Sequence, residues 1–220
     1  MEKSAWIAGA SGLVGQELLR LLLEDSRYSA VCALVRRPLG ISHPKLQEIV
    51  CDWDRLKETA DVPAADDVFC CLGTTIKKAR TREAMYKVDV DYPLALARLA
   101  LTMGACHYLL VSAVGANPRS RIPYSRMKGE LEEQIKRMPY EAASIFRPSL
   151  LLGDRAEFRL GERIAVKVSR AFSKLTRSPL PASLALEART VASAMLEAAQ
   201  RRNGGVNIYD PRGIKEIVKL

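Results

Sequence analysis

No run of roughly 18 or more apolar residues occurs in this 220-residue chain, so it offers no transmembrane helix. The first residues are charged and lead straight into a strand-like run, without the basic, apolar and small-residue order of a signal peptide. Cysteine is sparse and odd in number. Cys32, Cys51, Cys70, Cys71 and Cys106 all lie in apolar, strand-like runs, and no spacing among them resembles a zinc site. They read as reduced core residues of a cytoplasmic protein, and no metal is expected. There is no internal repeat, low-complexity tract or obvious linker, which points to one domain over 1–220. Nor is there a basic cluster interleaved with aromatics or a nucleic-acid motif. The net charge of +9 is spread along the chain, so nucleic acid is not an expected partner, whereas an anionic small ligand suits it.

What is present is alternation. Hydrophobic residues make up 48% and charged residues 27%, an ordinary globular balance. Strand-like runs at 4–10, 30–35, 47–51, 67–72, 107–112 and from 143 are interleaved with helical patterns at 13–23, 81–103 and 124–138. The third of these strands follows the second without a helix between them, and the long helix carries Pro93 as a candidate break. A further helix at 190–200 and a late strand at 205–209 close the chain. This order predicts an α/β fold with a parallel sheet, and the unbroken apolar strands suit a sheet covered on both faces.

The first strand feeds "GASGLVG", and a helix follows at once. Gly9, Gly12 and Gly15 stand at three-residue spacing, which in a strand–turn–helix context suits a dinucleotide-binding turn. Gly9 would permit the turn, Gly12 would let a pyrophosphate approach the backbone, and Gly15 would let the helix pack close. Ser11, Leu13 and Val14 of the same turn are candidate cofactor contacts. A plain structural turn would use the same glycines. The second strand ends in Arg36 and Arg37, with no carboxylate for a ribose 2′-hydroxyl. Two guanidinium groups suit a 2′-phosphate, so the expected cofactor is NADPH.

Tyr124 and Lys128 are four residues apart on a helix whose core stripe is Met127, Leu131, Ile135 and Met138. Both fall at the edge of that stripe. Lys128 either runs its stem past apolar surface or contacts ribose hydroxyls and a nearby phenolate. A free tyrosine titrates near pH 10, and a neighbouring ammonium lowers that value, which would let Tyr124 exchange a proton with a carbonyl or alcohol. Ser112, twelve residues earlier at the carboxyl end of the fifth strand, would orient the substrate oxygen.

Together these residues resemble the short-chain dehydrogenase/reductase superfamily. The segments "CCLGTTIKKA", "YKVDVDYPLALA", "YLLVSAVGA", "YSRMKGELE" and "IFRPSLLLGDR" are similar, more narrowly, to its atypical branch around the Tat-interacting-protein oxidoreductase and its small bacterial relatives. That resemblance runs from about residue 3 to 177. It implies a Rossmann sheet with NADPH, Asp52 and Trp53 flanking the adenine, and Leu72, Gly73 and Thr74 lining the dinucleotide groove. It also implies that Arg147, Pro148 and Ser149 stand beside the nicotinamide. Many extended members of the superfamily carry an asparagine in the long helix before the fifth strand; here Asp89 stands there, read as a helix residue near the site.

Residues from about 150 to 220 are expected to contribute a small substrate-binding lobe, too short for the large one of an extended sugar-nucleotide epimerase. Arg159, Arg163, Lys167, Arg170 and Lys174 form a basic stripe beside an apolar one on a predicted helix over 159–174. That helix either packs over the cleft with a solvated basic side or docks to an anionic partner or membrane surface. Two functions are compatible with these residues. One is an NADPH-dependent reductase of a small carbonyl or dehydrogenase of the alcohol. The other is an NADPH-binding sensor or interaction module with little turnover.

Overall fold

Seven parallel strands lie side by side in the order β3-β2-β1-β4-β5-β6-β9. They are β1 (Lys3–Ala8), β2 (Tyr28–Val35), β3 (Leu46–Val50), β4 (Asp67–Cys70), β5 (His107–Val111), β6 (Ala142–Phe146) and β9 (Gly205–Tyr209). The computed structural model describes residues 2–59, 61–149, 151–152 and 186–219. A separate parallel pair joins β7 (Leu151–Leu152) to β8 (Leu186–Glu187). The chain crosses outward from β1 through β2 to β3, then returns to place β4 on the other side of β1. The order reverses there, which opens a crevice at the carboxyl ends of β1 and β4.

Side chains alternate across the strands and divide the core in two. Ile7, Ala33, Phe69 and Leu109 face one layer, beneath α1 (Leu13–Glu24), α6 (Ala188–Arg201) and α7 (Pro211–Lys219). Trp6, Leu34, Val68, Tyr108 and Leu110 face the other, beneath α4 (Tyr92–Thr102) and α5 (Pro123–Lys136). The helices follow from their stripes. α1 buries Leu18, Leu19, Leu22 and Leu23, and α5 buries Met127, Leu131 and Ile135. Both spacings repeat every three or four residues, one face of a 3.6-residue helix. At the amino ends of the strands, buried Asp67 accepts hydrogen bonds from Tyr28 Oη at 2.6 Å and Lys3 Nζ at 3.1 Å.

Several expected boundaries shift for identifiable reasons. The first strand stops at Ala8, because Gly9 turns the chain at φ +83°. The long helix expected over 81–103 is divided into α3 (Arg82–Tyr86), a π-helical turn at Lys87–Asp91, and α4. Pro93 does not break it. It sits in the first turn of α4, directly after the π turn, and the chain stays helical through it. A 3-10 segment at Trp53–Glu58, the single-turn α2 (Ile76–Ala79) and α7 are additions to the expected elements. Of the stretch from 150 onward that was expected to contribute a lobe, α6, β9 and α7 are built into the central body. α6 packs on α1, and β9 pairs with β6. The basic helix expected at 159–174 lies outside the described residues.

The crossing of α1 over the end of β1 leaves no room for a side chain. A Cβ on Gly15 would stand 2.1 Å from the Gly9 carbonyl oxygen, and one on Gly9 would stand 2.5 Å from that of Cys71. Gly15→Ala should therefore force α1 off the sheet and lower unfolding stability by about 2 kcal/mol. Urea denaturation measures this, and an unchanged midpoint would show that α1 can shift at no cost.

Candidate active site

Three loops meet at the crevice. The first is the glycine turn after β1. Gly12 begins α1, its N–H donating to the Gly9 carbonyl at 2.9 Å, and no side chain caps the helix. The first turn of α1 holds no acidic residue either. Uncapped amides and an uncompensated helix dipole suit an anion. Ser11 is exposed there, Leu13 half-buried and Val14 buried.

The second loop, Leu72–Thr74, follows β4. The Thr74 N–H donates to Asp89 Oδ2 at 2.9 Å. Gly73 is exposed, with Asp89 Oδ1 3.5 Å from where its Cβ would be. The third loop follows β5 and begins with Ser112, which is buried. Its N–H donates to the Phe146 carbonyl at 2.7 Å, and its hydroxyl donates to Glu132 Oε1 at 2.5 Å.

One face of α5 supplies the charged groups. Tyr124, Lys128 and Glu132 follow at four-residue intervals, so they project in one row. Tyr124 is 40% exposed at the open end of this row, and Lys128 is 2% exposed. Lys128 Nζ stands 2.8 Å from Asp89 Oδ1, a buried ion pair. Although the residue as a whole is partly exposed, the protein crowded around the Tyr124 hydroxyl pushes it above its ordinary value; Lys128 pulls it down and Asp89 pushes it up. Burial pulls the Lys128 ammonium down, but Tyr124 and the paired Asp89 leave it raised.

Glu132 holds the deeper end of the row. It is 1% exposed and accepts from Arg147 Nε at 3.0 Å and Nη2 at 2.5 Å, as well as from Ser112. Arg147 lies just beyond β6, with Pro148 buried beside it and Ser149 half-buried. The Pro148 carbonyl accepts from the Val114 N–H at 2.9 Å, which ties this turn to the Ser112 loop.

At the other end of the sheet crevice, Arg36 and Arg37 leave the carboxyl end of β2 exposed, and neither has an acidic partner among the described residues. Asp52, after β3, is exposed and its carboxylate accepts from the Asp54 N–H at 3.0 Å. Trp53 is buried, its ring against Tyr92 with centroids 5.8 Å apart. That position therefore offers the crevice its backbone more readily than its indole face.

The family model described as NAD dependent epimerase/dehydratase family matches residues 5–177, most of the chain. The chain belongs to the NAD dependent epimerase/dehydratase family. Among members of that family, Protein HTATIP2 of Rattus norvegicus is 39% identical over 169 residues, covering 75% of this chain and 69% of the rat protein. Protein fmp52-1, mitochondrial, of Aspergillus terreus is 35% identical over 202 residues, covering 89% and 86%. The rat protein is the relative expected from the Tat-interacting-protein segments, and the fungal one adds to it. The fold is shared with MoeE5 in complex with UDP-glucose and NAD, with TM-score 0.71 at 18% identity over 94% of this chain and 75% of that one. It is also shared with a short chain dehydrogenase family protein from Francisella tularensis, with TM-score 0.63 at 13% identity over 97% and 99%. The expected Rossmann architecture is thus the observed one, and the family is one of nicotinamide-dinucleotide oxidoreductases.

Two carboxylates at this family site escaped notice or assignment in the sequence. Glu132 is missed outright, although its place one turn beyond Lys128 is a signal that helical spacing provides. Asp89 is noticed, but its partner is visible only in the fold. Because Glu132 is buried, removing its cation is costly: Arg147→Met should lower stability by about 3 kcal/mol. A denaturant titration checks this. Adding Glu132→Leu to that variant should recover part of the loss, and a double variant as weak as the single one would show that the pairing is not the cause.

Proposed function

We propose that the protein is an NADPH-dependent oxidoreductase that reduces a small carbonyl or oxidises the corresponding alcohol. The observation that carries this reading is the row of Tyr124 and Lys128 on α5, joined to Ser112 through Glu132, beside an uncapped and acid-free α1 N-terminus. When bound, the cofactor supplies a hydride at its nicotinamide. Tyr124, at the open end of the row, exchanges the proton with the substrate oxygen. Lys128 carries the cation that steadies a phenolate and can reach ribose hydroxyls. Ser112 would orient the substrate oxygen: while its hydroxyl donates to Glu132 it can accept from an alcohol, and to hold a carbonyl oxygen it must turn its hydrogen from Glu132 to the substrate.

The backbone of Gly9, Ser11, Gly12, Leu13, Val14 and Gly15 would hold the pyrophosphate. Leu72, Gly73 and Thr74 would line the groove, Asp52 and the Trp53 backbone would meet the adenine, and Arg147, Pro148 and Ser149 would border the nicotinamide. The crevice fits such a group: glycine stands where a side chain would collide with the turn, and the helix start is open. Preference for NADPH over NADH rests on Arg36 and Arg37, two exposed guanidinium groups without acidic partners among the described residues. A substrate lobe would then draw on residues from about 150 onward.

All five cysteines are unpaired, which supports a reducing compartment. The cytoplasm is our reading; the fungal relatives named mitochondrial supply the alternative. Among the described residues no helix is long and apolar enough to cross a membrane. A second reading, a cofactor-binding sensor with little turnover, draws on the Ser112 hydroxyl being engaged by Glu132.

Nicotinamide fluorescence during separate titrations with NADPH and NADH tests the cofactor. Replacing Arg36 and Arg37 by alanine should weaken NADPH about tenfold or more and leave NADH little changed; equal loss would remove the 2′-phosphate role. Tyr124→Phe should cut turnover of any accepted carbonyl by roughly 10²-fold to 10⁴-fold while cofactor binding persists. Unaltered turnover in that variant would favour the sensor.

A further inference from the structure

The chain that leaves the loop Leu72–Thr74 and runs through α2 into α3 is poorly embedded. No residue from Thr75 to Glu83 is buried, and the apolar side chain of Ile76 is 52% exposed. Both ends of this segment are fastened. Before it, the Thr74 N–H donates to Asp89 Oδ2 at 2.9 Å. After it, Met85 and Tyr86 pack on the core layer beneath α4 and α5, and Tyr86 Oη donates to Glu130 Oε2 at 3.4 Å. Between these anchors the segment holds its own shape. Thr75 caps α2 by accepting from the Lys78 N–H at 3.3 Å, and Thr81 caps α3 by accepting from the Ala84 N–H at 3.0 Å. The Arg80 N–H donates back to the Ile76 carbonyl at 2.9 Å.

Two features raise the energy of its present position. Arg80, the joint between α2 and α3, stands at φ +69° and ψ −35°, where an L side chain is crowded against its own backbone. Strain of this kind clusters at ligand clamps and switch regions. The second feature is charge. Lys77, Lys78, Arg80 and Arg82 crowd into one exposed stretch with Glu83 as its single acid. Lys77, Arg80 and Arg82 have no acidic partner among the described residues.

The neighbours of the segment indicate what those cations meet. It is rooted at the end of β4, beside β1, whose own end carries the glycine turn and the uncapped start of α1. A helix start offers an anion roughly half an elementary charge. The diphosphate of a dinucleotide bears two negative charges, and the turn from Gly9 to Gly15 contains no basic residue. The amides alone leave most of that charge unanswered, and the nearest loop holds cations without partners.

We propose that Thr75–Glu83 is a strap that lifts from its present position and closes over the diphosphate common to NADPH and NADH, with Lys77, Arg80 and Arg82 supplying the counter-charge. The inference rests on the oxidoreductase reading and adds to it a moving part and three cofactor-binding residues. Its cations serve the diphosphate, whereas Arg36 and Arg37 serve the 2′-phosphate.

Limited trypsin digestion of the full chain, with the cut sites read by mass spectrometry, tests the motion. Without cofactor, trypsin should cut after Lys77, Lys78, Arg80 or Arg82, because the strap opens locally. Saturating NADPH, its binding followed by nicotinamide fluorescence, should slow those cuts about tenfold or more. An uncut strap in the free protein overturns the proposal, as does a strap cut equally fast with NADPH bound. Equal protection at the exposed Arg137, at the far end of α5, would mean general stabilisation and overturns it too.

Replacing Lys77, Arg80 and Arg82 together by alanine tests the charge. The Kd should rise about tenfold for NADPH and for NADH alike, since both carry the diphosphate. No rise, or a rise for NADPH alone, overturns the proposal. If the unaltered protein binds neither NADPH nor NADH, the oxidoreductase reading fails and the closure falls with it. Failure of protection, or of the alanine variant, while cofactor binds counts against the strap alone.

Discussion

The structure turns on one close contact. Where β1 ends, the backbone of Gly9 passes so near the Cys71 carbonyl that a Cβ would sit 2.5 Å from its oxygen, and α1 then crosses back over the same turn at Gly15. Three chain segments share a space that admits no side chain. That crowding draws the start of α1 over the gap between β1 and β4, where the strand order reverses. The helix start is left without a side-chain cap and free of acidic residues, so the tightest packing in the fold sits directly beneath it.

The second constraint is the cost of burying charge. α5 carries its core stripe on one face and the row of Tyr124, Lys128 and Glu132 beside it. Two of these three are almost fully buried, and each is answered by a group from a distant part of the chain. Asp89 answers Lys128, and Arg147 with Ser112 answers Glu132. The two pairs link α5 to the ends of β4, β5 and β6, the same strand ends whose loops form the crevice. The polar contacts that keep the helix from burying bare charge are therefore also the ones that set the geometry of the site.

Much of this was legible in the sequence, for definable reasons. Unbroken apolar runs mark β1, β2 and β5 because both sides of the sheet are covered, and stripes of period 3.6 mark α1 and α5 because each helix has one buried face. The glycine turn is legible because only glycine fits there. Pairing across the fold is not legible in the same way. Nothing local to "YKVDVDY" says that Asp89 meets Lys128, 39 positions away, and the π turn that carries it interrupts a pattern that otherwise reads as one helix. Trp53 looks like a residue available to a ligand until β3 and α4 are assembled, after which its ring belongs to the core against Tyr92. The π turn, the single-turn α2 and the 3-10 segment leave weak marks because each is too short to repeat a stripe.

The comparisons divide along the same line. Solved structures at 13–18% identity superpose on nearly the whole chain because backbone turns and apolar stripes tolerate many sequences. What they share is the fold. The chemistry in the crevice depends on which charges face one another, and a fold can retain its shape while those charges change. The charges that face one another here are Lys128 and Asp89, and Glu132 and Arg147, and both pairs come together only in the assembled fold.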